Sequence, residues 1–261
     1  MHALCRLALA ALLAPLAVAA GPVADRVKAS GTVRVCIWPE YYGITFRHPR
    51  TQQLVGIDID MAQELARDAK ATVAFVETSF PQLAADIAAG KCDVAMFAIA
   101  VTPEREKAMR FTRPHLKSDI YGITLKSSRA IRGWDDIDRP GVKVAVQAGT
   151  FMEPVMAERL KQATVVVVRP PATREQEVES GRADVFMTDF PYSRRLLDNA
   201  DWARLVVPPK PFHVVPYAYA MKHGDDDWWR VVDGFVERAL KDGRAAAAAK
   251  RHGLAEILAR D

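Results

Sequence analysis

A short segment, Thr102-Pro103-Glu104-Arg105, places an arginine where a helix should begin. Threonine can cap a helix, and proline suits the first helical position because its missing N–H has no partner there. A helix N-terminus carries partial positive charge. A cation such as Arg105 therefore destabilises this position by about 0.3 to 1 kcal/mol unless an anion lies nearby. The segment therefore predicts an anion site, such as one for a carboxylate held by two parallel hydrogen bonds. The alternatives are that Arg105 pairs with a protein acid or is solvated.

Two further polar positions follow apolar runs in the same way. Asp189 can cap a helix over 190–197. Gly149 and Thr150 follow another run, where Thr150 can cap a helix over 151–160. We expect these positions and Arg105 to form one site if the chain brings the ends of the runs together.

The elements that must position these residues repeat along the chain. A β-branched strand at 31–38, helical material and a strand at 90–96 are followed by the same order at 141–149 and 181–187. Strands that alternate with helical patterns predict parallel sheets covered by helices, and hence two α/β lobes. Ligands of such sheets lie beyond the carboxyl ends of the strands, where the polar positions occur.

Extended segments at 120–126 and 213–221 bracket the second repeat and are expected to link the lobes as crossover strands. The prediction is one lobe at 24–124 plus 218–261, with the second lobe at 125–217 inserted. Two lobes joined by two strands form a hinge around a cleft, which suits closure on a small ligand.

The composition excludes several classes of function. The formal net charge is +4, and the basic residues are dispersed rather than clustered, so no nucleic-acid partner is expected. The sequence has no G-x-S-x-G motif and no Gly-rich phosphate loop, and its histidines lack metal-ligand spacing. We therefore expect no cofactor, no metal and no catalytic residues.

Residues 1–20 have the layout of a secretory signal peptide, with an apolar core at 7–18 and small residues before a cleavage site ahead of Gly21. No later segment approaches the length of a membrane span, so an exported protein is expected. Cys36 and Cys92 would then be in an oxidising compartment, where they either form a disulfide or are small buried residues.

Three motifs carry a resemblance to a known family. They are Gly56-Ile-Asp-Ile-Asp-Met-Ala-Gln-Glu-Leu-Ala, Gly90-Lys-Cys-Asp-Val and Thr102-Pro-Glu-Arg105. With these motifs the chain resembles the extracellular solute-binding proteins of family 3, the polar amino-acid receptors of ABC importers, along nearly all of its mature length. The resemblance implies a two-lobed periplasmic binding protein with α/β lobes and a ligand cleft between them.

The resemblance also implies roles for individual residues. Arg105 would bind the α-carboxylate of an amino acid, and Asp189 its α-ammonium. Gly149 and Thr150 would add donors from the second lobe, and Tyr41 would pack on the ligand. The other positions assigned to the predicted ligand site are Trp38, Phe80, Phe97 and Ala100, although Trp38 could equally be packing at a strand end.

Departures from the family pattern bear on the ligand. Many members have a serine or threonine where this chain has Phe97, Ala98 and Ala100, and the usual Tyr-x-Pro-Phe appears as Tyr-Tyr-Gly-Ile at 41–44. The predicted pocket is therefore more apolar than usual, which favours an aromatic or aliphatic amino acid, or an organic acid, over arginine or glutamate.

An enzyme is the main alternative, because the chain also resembles the cyclohexadienyl dehydratases, which act on prephenate or arogenate. In those proteins a catalytic glutamate follows the aspartate that matches Asp189 by three positions, and here that place holds Tyr192. A phenol with a pKa near 10 is a poor general acid for expelling hydroxide at neutral pH. A third possibility is a sensor that is tethered to a membrane. The absence of a membrane segment before Asp261 argues against it. The favoured prediction is a monomeric periplasmic carrier that delivers its ligand to an inner-membrane ABC permease.

Overall fold

The computed structural model describes residues 21–259, and the predicted signal peptide at 1–20 lies outside them. Fourteen strands are found in this range. They are β1 (Thr32–Ile37), β2 (Glu40–Tyr41), β3 (Thr45–Arg47), β4 (Leu54–Val55), β5 (Thr72–Glu77), β6 (Val94–Ala100), β7 (Arg110–Phe111), β8 (Leu116–Ser118), β9 (Ile120–Leu125), β10 (Lys143–Gln147), β11 (Thr164–Val168), β12 (Val185–Asp189), β13 (Ala203–Val206) and β14 (Val215–Met221).

Nine α-helices and two short 3-10 turns, at Trp134–Asp136 and Ala255–Ile257, complete the described range. The helices are α1 (Pro22–Ser30), α2 (Ile57–Asp68), α3 (Leu83–Ala88), α4 (Pro103–Ala108), α5 (Met152–Arg159), α6 (Arg174–Glu179), α7 (Phe190–Leu197), α8 (Asp226–Lys241) and α9 (Arg244–Arg251). Among residues 21–259 no helix combines the length and the apolar character that crossing a membrane requires.

The first large sheet has the strand order β5-β1-β6-β14-β7, with β8 also paired to β14. Strand β1 runs parallel to β5 and to β6, as expected for the first β-α-β repeat. Strand β14 joins antiparallel to β6, although it comes from far along the chain. The first lobe is therefore built from two separate parts of the sequence.

The second large sheet repeats this arrangement in the order β11-β10-β12-β9-β13. Strand β10 is parallel to β11 and β12, and β9 joins antiparallel to β12. The two predicted repeats thus form equivalent parallel cores, each extended by an antiparallel strand. A small antiparallel sheet of β2, β3 and β4 is attached to the first lobe.

The chain passes between the sheets twice. It leaves the first sheet at Asp119, between β8 and β9, and returns between β13 and β14. Strands β9 and β14 pair within their own sheets and not with each other. Because the predicted division at 124/125 falls inside β9, we propose connections at 119 and 207–214 as the lobe boundaries.

Helix α2 shows how the predicted pattern creates the core. Ile57, Met61 and Leu65, spaced four residues apart, are all buried against the first sheet. The helix begins at Gly56, whose φ of +138° suits glycine, and a Cβ at this position would lie 2.1 Å from the Ile44 carbonyl oxygen. Only glycine lets the chain enter this helix so close to the neighbouring backbone.

Cys36 in β1 and Cys92 before β6 form a disulfide within the first lobe. The sequence left this pairing open. The bond closes a loop with a sequence separation of 56 residues. Such a loop restricts the unfolded chain, and a bond of this kind typically stabilises a protein by about 2 to 4 kcal/mol.

The double variant Cys36→Ser/Cys92→Ser is therefore expected to lower the free energy of unfolding by about 2 to 4 kcal/mol. Urea denaturation followed by circular dichroism measures this difference. A reductant should destabilise the wild type and leave the double variant unchanged. Equal unfolding midpoints for the reduced and oxidised wild type would contradict the assignment.

Candidate functional site

A cavity lies between the two large sheets, at the carboxyl ends of β6 and β12. Both ends are where ligands of α/β sheets are expected. The structure brings six of the predicted site residues to its wall: Trp38, Tyr41, Phe80, Ala100, Thr150 and Asp189.

Arg105 lies in the first turn of α4, beside this cavity. The Thr102 hydroxyl caps the helix by accepting the Arg105 backbone N–H at 3.3 Å. The guanidinium donates from Nη1 to the Ala100 carbonyl at 2.9 Å and from Nη2 to the Gly149 carbonyl at 2.9 Å. Ala100 belongs to the first lobe and Gly149 to the second, so Arg105 connects the two sides of the cleft.

The charge of Arg105 has no acidic partner in the described part of the chain. No carboxylate oxygen of residues 21–259 lies within 4.0 Å of its nitrogens. Burial lowers the pKa of Arg105 to about 10, as is expected for a cation taken out of water without an anion. Each Nη atom uses one N–H for a carbonyl, so the guanidinium keeps donors for a carboxylate.

Asp189 ends β12, caps α7 and is 1% exposed. Its Oδ1 accepts the Tyr192 backbone N–H at 3.1 Å. Its Oδ2 accepts the Tyr217 hydroxyl at 2.7 Å and also the Tyr41 hydroxyl. Asp189 is thus both a helix cap and a cavity residue, as the sequence allowed.

Two opposing effects act on the Asp189 carboxyl group. Burial raises its pKa, while the hydroxyls of Tyr41 and Tyr217 and the charge of Arg174 favour the ionised form. Burial also raises the pKa of Tyr41 and of Tyr217 well above its usual value near 10. Both phenols are therefore protonated donors that hold a carboxylate ready for a cation.

Aromatic rings form the wall on the first-lobe side. The Trp38 ring lies 5.4 Å from the rings of Tyr41 and Phe80, measured between centroids, so Trp38 both packs and lines the cavity. Phe97, which the sequence placed in the site, packs behind Phe80 at 5.1 Å and does not line the cavity. The side chain of Phe97 shapes the site only through Phe80.

Gly149 and Thr150 contribute from the second lobe. Gly149 has a φ of +74°, and its N–H donates to Glu153 at 2.8 Å. Its carbonyl accepts the hydrogen bond from Arg105. The Thr150 hydroxyl donates to the Gln147 carbonyl at 2.7 Å. Thr150 does not cap α5, which was the alternative that the sequence left open, because the cap position is Phe151 and no side chain caps this helix.

Seven cavity residues escaped the sequence analysis as ligand contacts: Ala98, Phe151, Met152, Arg174, Thr188, Tyr192 and Tyr217. Arg174 is 3% exposed, and its Nη1 donates to the Met187 carbonyl at 2.8 Å. Tyr192 is buried, and its hydroxyl donates to Glu175 at 2.8 Å. The sequence carries no sign that Arg174 is buried, whereas Tyr217 could have been found from the alternation of β14.

A buried network supports the cavity from the first lobe. Ala98, in the wall, has a φ of +48°, which is strained for a residue with a Cβ. Its N–H donates to Asp58 Oδ2 at 2.8 Å, and Asp58 Oδ1 accepts the Tyr219 hydroxyl at 2.9 Å. His115 Nε2 lies 3.2 Å from the same oxygen. Asp58, in the Gly-x-Asp motif, thereby holds the backbone of β6 in place.

The side chains of residues 21–259 offer no cluster of three histidine, cysteine or acidic groups that could hold a metal ion. The cavity therefore offers binding groups of three kinds: cationic side chains, one ionisable carboxyl with two phenol donors, and aromatic walls. This arrangement suits a small molecule that carries both a carboxylate and an ammonium group.

Comparisons with known proteins identify the family of this chain. The family described as bacterial extracellular solute-binding proteins, family 3, matches residues 33–255. A cyclohexadienyl dehydratase of Pseudomonas aeruginosa is 32% identical over 222 residues, which cover 84% of this chain and 81% of that protein. The L-cystine-binding protein TcyJ of Escherichia coli is 24% identical over 228 residues, covering 87% of this chain and 84% of that protein.

A solved structure agrees over a similar range. The crystal structure of the ancestral amino acid-binding protein AncCDT-1, a precursor of cyclohexadienyl dehydratase, is similar with a TM-score of 0.79 and 30% identity. The similarity covers 87% of this chain and 98% of that one. The family match over residues 33–255 includes strands of both large sheets.

Proposed function

This chain belongs to family 3 of the bacterial extracellular solute-binding proteins, and from that premise we propose that it binds an amino acid, or a related small carboxylate, for an ABC importer. The observation that carries the proposal is the half-buried side chain of Arg105, whose guanidinium lies at the cleft without an acid of residues 21–259 beside it. A ligand carboxylate supplies the missing charge, and Asp189 receives the ligand ammonium. The relatives named for amino acids support this ligand class.

The proposed mechanism is closure of a hinge. Arg105 and Tyr41 in the first lobe hold the ligand first, and Thr150 and Asp189 then close over it from the second. Two contacts across the cleft support this sequence: Tyr41 with Asp189, and Arg105 with the Gly149 carbonyl. Higher affinity of the ligand for the closed form drives the motion.

Gly149 offers a test of closure, because it approaches the opposite lobe closely. A Cβ on Gly149 would lie 2.7 Å from the Pro81 nitrogen and 2.8 Å from the Phe80 carbonyl carbon. Gly149→Ala is therefore expected to weaken ligand binding by about 1 to 3 kcal/mol, since overpacking opposes the closed form. Isothermal titration calorimetry measures the loss.

The control is Gly90→Ala, which also has a positive φ but no atom within 4 Å of the added Cβ. Both variants should lose about 1 kcal/mol of folding stability from the left-handed backbone. Only Gly149→Ala should lose affinity. Equal affinities of the two variants would contradict the proposed closure.

The remaining parts of the proposal concern location and partners. Members of the family are described as extracellular, and residues 1–20 have the composition of an export signal. We propose that the mature protein is a periplasmic monomer and that an inner-membrane ABC permease receives its ligand. The permease would recognise the closed form, in which the two lobes present one combined surface.

We propose that the protein is not a dehydratase, although a cyclohexadienyl dehydratase is among its relatives. The place where the resemblance implies a catalytic glutamate holds Tyr192, whose hydroxyl donates to Glu175. Burial raises the pKa of Tyr192 well above 10. A phenol that binds its proton this tightly is unsuited to protonating a leaving hydroxide.

A thermal-shift screen tests the proposed function. The mature protein is unfolded and refolded without reductant to remove carried-over ligand, and is then screened against amino acids, amines, organic acids and prephenate. A ligand should add about 2.7 kcal/mol of stability at a hundredfold excess over Kd. A shift with amino acids and no loss of prephenate would support the receptor. A shift with prephenate alone, with its consumption, would establish the dehydratase instead.

A further inference from the structure

The cavity wall contains a buried guanidinium that the proposed amino-acid site does not use. Arg174, at the start of α6, lines the cavity together with Asp189 and Tyr192. The Nη1 atom of Arg174 donates a hydrogen bond to the Met187 carbonyl. Within residues 21–259 no carboxylate oxygen lies within 4.0 Å of its nitrogens. A buried cation in this situation is costly unless an anion reaches it.

Aromatic contacts fix the position of Arg174 without supplying a negative charge. Its Cζ lies 4.7 Å from the Tyr192 ring centroid and 5.1 Å from that of Phe186. Such cation–π contacts orient the guanidinium and leave its remaining N–H groups available for an anion. The packing thus holds the cation in place at the cavity wall.

A balance of charges then defines the ligand. Arg174 and Asp189 line the cavity, and Arg105 lies beside it. An ordinary zwitterionic amino acid matches Arg105 and Asp189 and leaves Arg174 with only the charge of Asp189, which the ligand ammonium also uses. A ligand with two anionic groups and one ammonium matches all three.

The acidic residues at the mouth of the cleft do not supply the anionic partner that Arg174 lacks. Glu40 and Glu175 lie with Arg174 along a wider surface groove and are not part of the cavity wall. Glu175 is half-buried and accepts the Tyr192 hydroxyl, whereas Glu40 is exposed. Neither carboxylate forms an ion pair with Arg174.

We propose that Arg174 binds a second anionic group of the ligand, so that the preferred ligand class is amino acids with an acidic side chain. This rests on the proposed function, in which Arg105 and Asp189 hold the α-carboxylate and the α-ammonium. The apolar wall, including Phe80 and Phe151, contacts the carbon skeleton between the two ends. The inference departs from the apolar ligand expected from the sequence, because the sequence did not place Arg174 in the cavity.

The test compares ligands that differ only in the second charge. Refolded protein is titrated calorimetrically with L-glutamate and L-glutamine, with L-aspartate and L-asparagine, and with 4-carboxy-L-phenylalanine and L-phenylalanine. The acidic member of at least one pair should bind about 10- to 100-fold more tightly, as expected for hydrogen bonds between charged groups.

The variant Arg174→Met should remove this preference for the acidic member of the pair. Arg174→Lys should retain part of the preference, which a purely structural role for Arg174 does not predict. The matched control is Arg194→Met, because Arg194 also lies over an aromatic ring in this lobe but is exposed. Circular dichroism confirms that each variant is folded.

Three outcomes would overturn the inference. Neutral or cationic amino acids that bind more tightly than every acidic one would leave the proposed function standing and remove the second anionic subsite. An unchanged preference in Arg174→Met would remove Arg174 from that subsite. Binding of none of these amino acids would contradict the proposed function itself, and with it the inference.

Discussion

The variant Arg105→Met is expected to weaken amino-acid binding by about 3 to 5 kcal/mol, which is the usual cost of leaving one member of a buried ion pair alone. In the structure the guanidinium is held by the carbonyls of Ala100 and Gly149. Methionine keeps much of the side-chain length but offers no donor to a carboxylate. Isothermal titration calorimetry with the ligand found by screening measures the loss.

The controls separate charge from folding. Arg105→Lys keeps the charge but not the two parallel donors, so it should recover only part of the affinity. Arg110→Met removes another arginine of the first lobe, which pairs with Asp226 and lies over the Trp229 ring away from the cavity. It should leave binding unchanged. Full affinity in Arg105→Met would exclude Arg105 from the site.

The variant Asp189→Asn is expected to cost amino acids about 3 to 5 kcal/mol of binding free energy, because the ligand ammonium loses a buried anionic partner. Asparagine has nearly the same shape and can still cap α7. The corresponding deaminated carboxylates should lose far less, since they bring no ammonium to this position. Calorimetry on each amino acid and its deaminated form measures the difference, and equal losses for the two would contradict ammonium binding.

The same carboxyl group predicts a pH dependence. Burial raises the pKa of Asp189 above its usual value of 3.8, and only the ionised form pairs with an ammonium. Affinity of the wild type should therefore fall as the pH drops from neutral towards that raised pKa, and Asp189→Asn should show no such fall. The pH dependence of folding stability without ligand has the opposite sign. The contribution of Asp189 to the free energy of unfolding is largest below pH 3.8 and is lost as the pH rises through the raised pKa.

Much of the fold could be predicted because local patterns decide it. The β-branched runs at 31–38 and 141–149 became β1 and β10, because β-branched side chains pack well in the mostly buried strands of a parallel sheet. Thr102 and Asp189 cap the helices that follow them, because a polar side chain before a helical run has few other roles. These positions depend on neighbours in the sequence.

The errors arose where distant segments decide the outcome. Phe97 has an apolar environment on every side, and only the packing of β6 against Phe80 determines that it lies behind the cavity. Arg174 begins a charged helix, and the second sheet buries it beside Met187 and Tyr192. Charge and size alone could not predict which side of its helix would face the cleft.

The most direct test of the central claim is a crystal structure of the refolded protein with the amino acid that gives the largest thermal shift. The account predicts a closed cleft, with the ligand carboxylate within hydrogen-bond distance of the Arg105 Nη atoms and the ammonium within that distance of the Asp189 carboxylate. A ligand bound elsewhere, with Arg105 still held by the carbonyls of Ala100 and Gly149 alone, would contradict it.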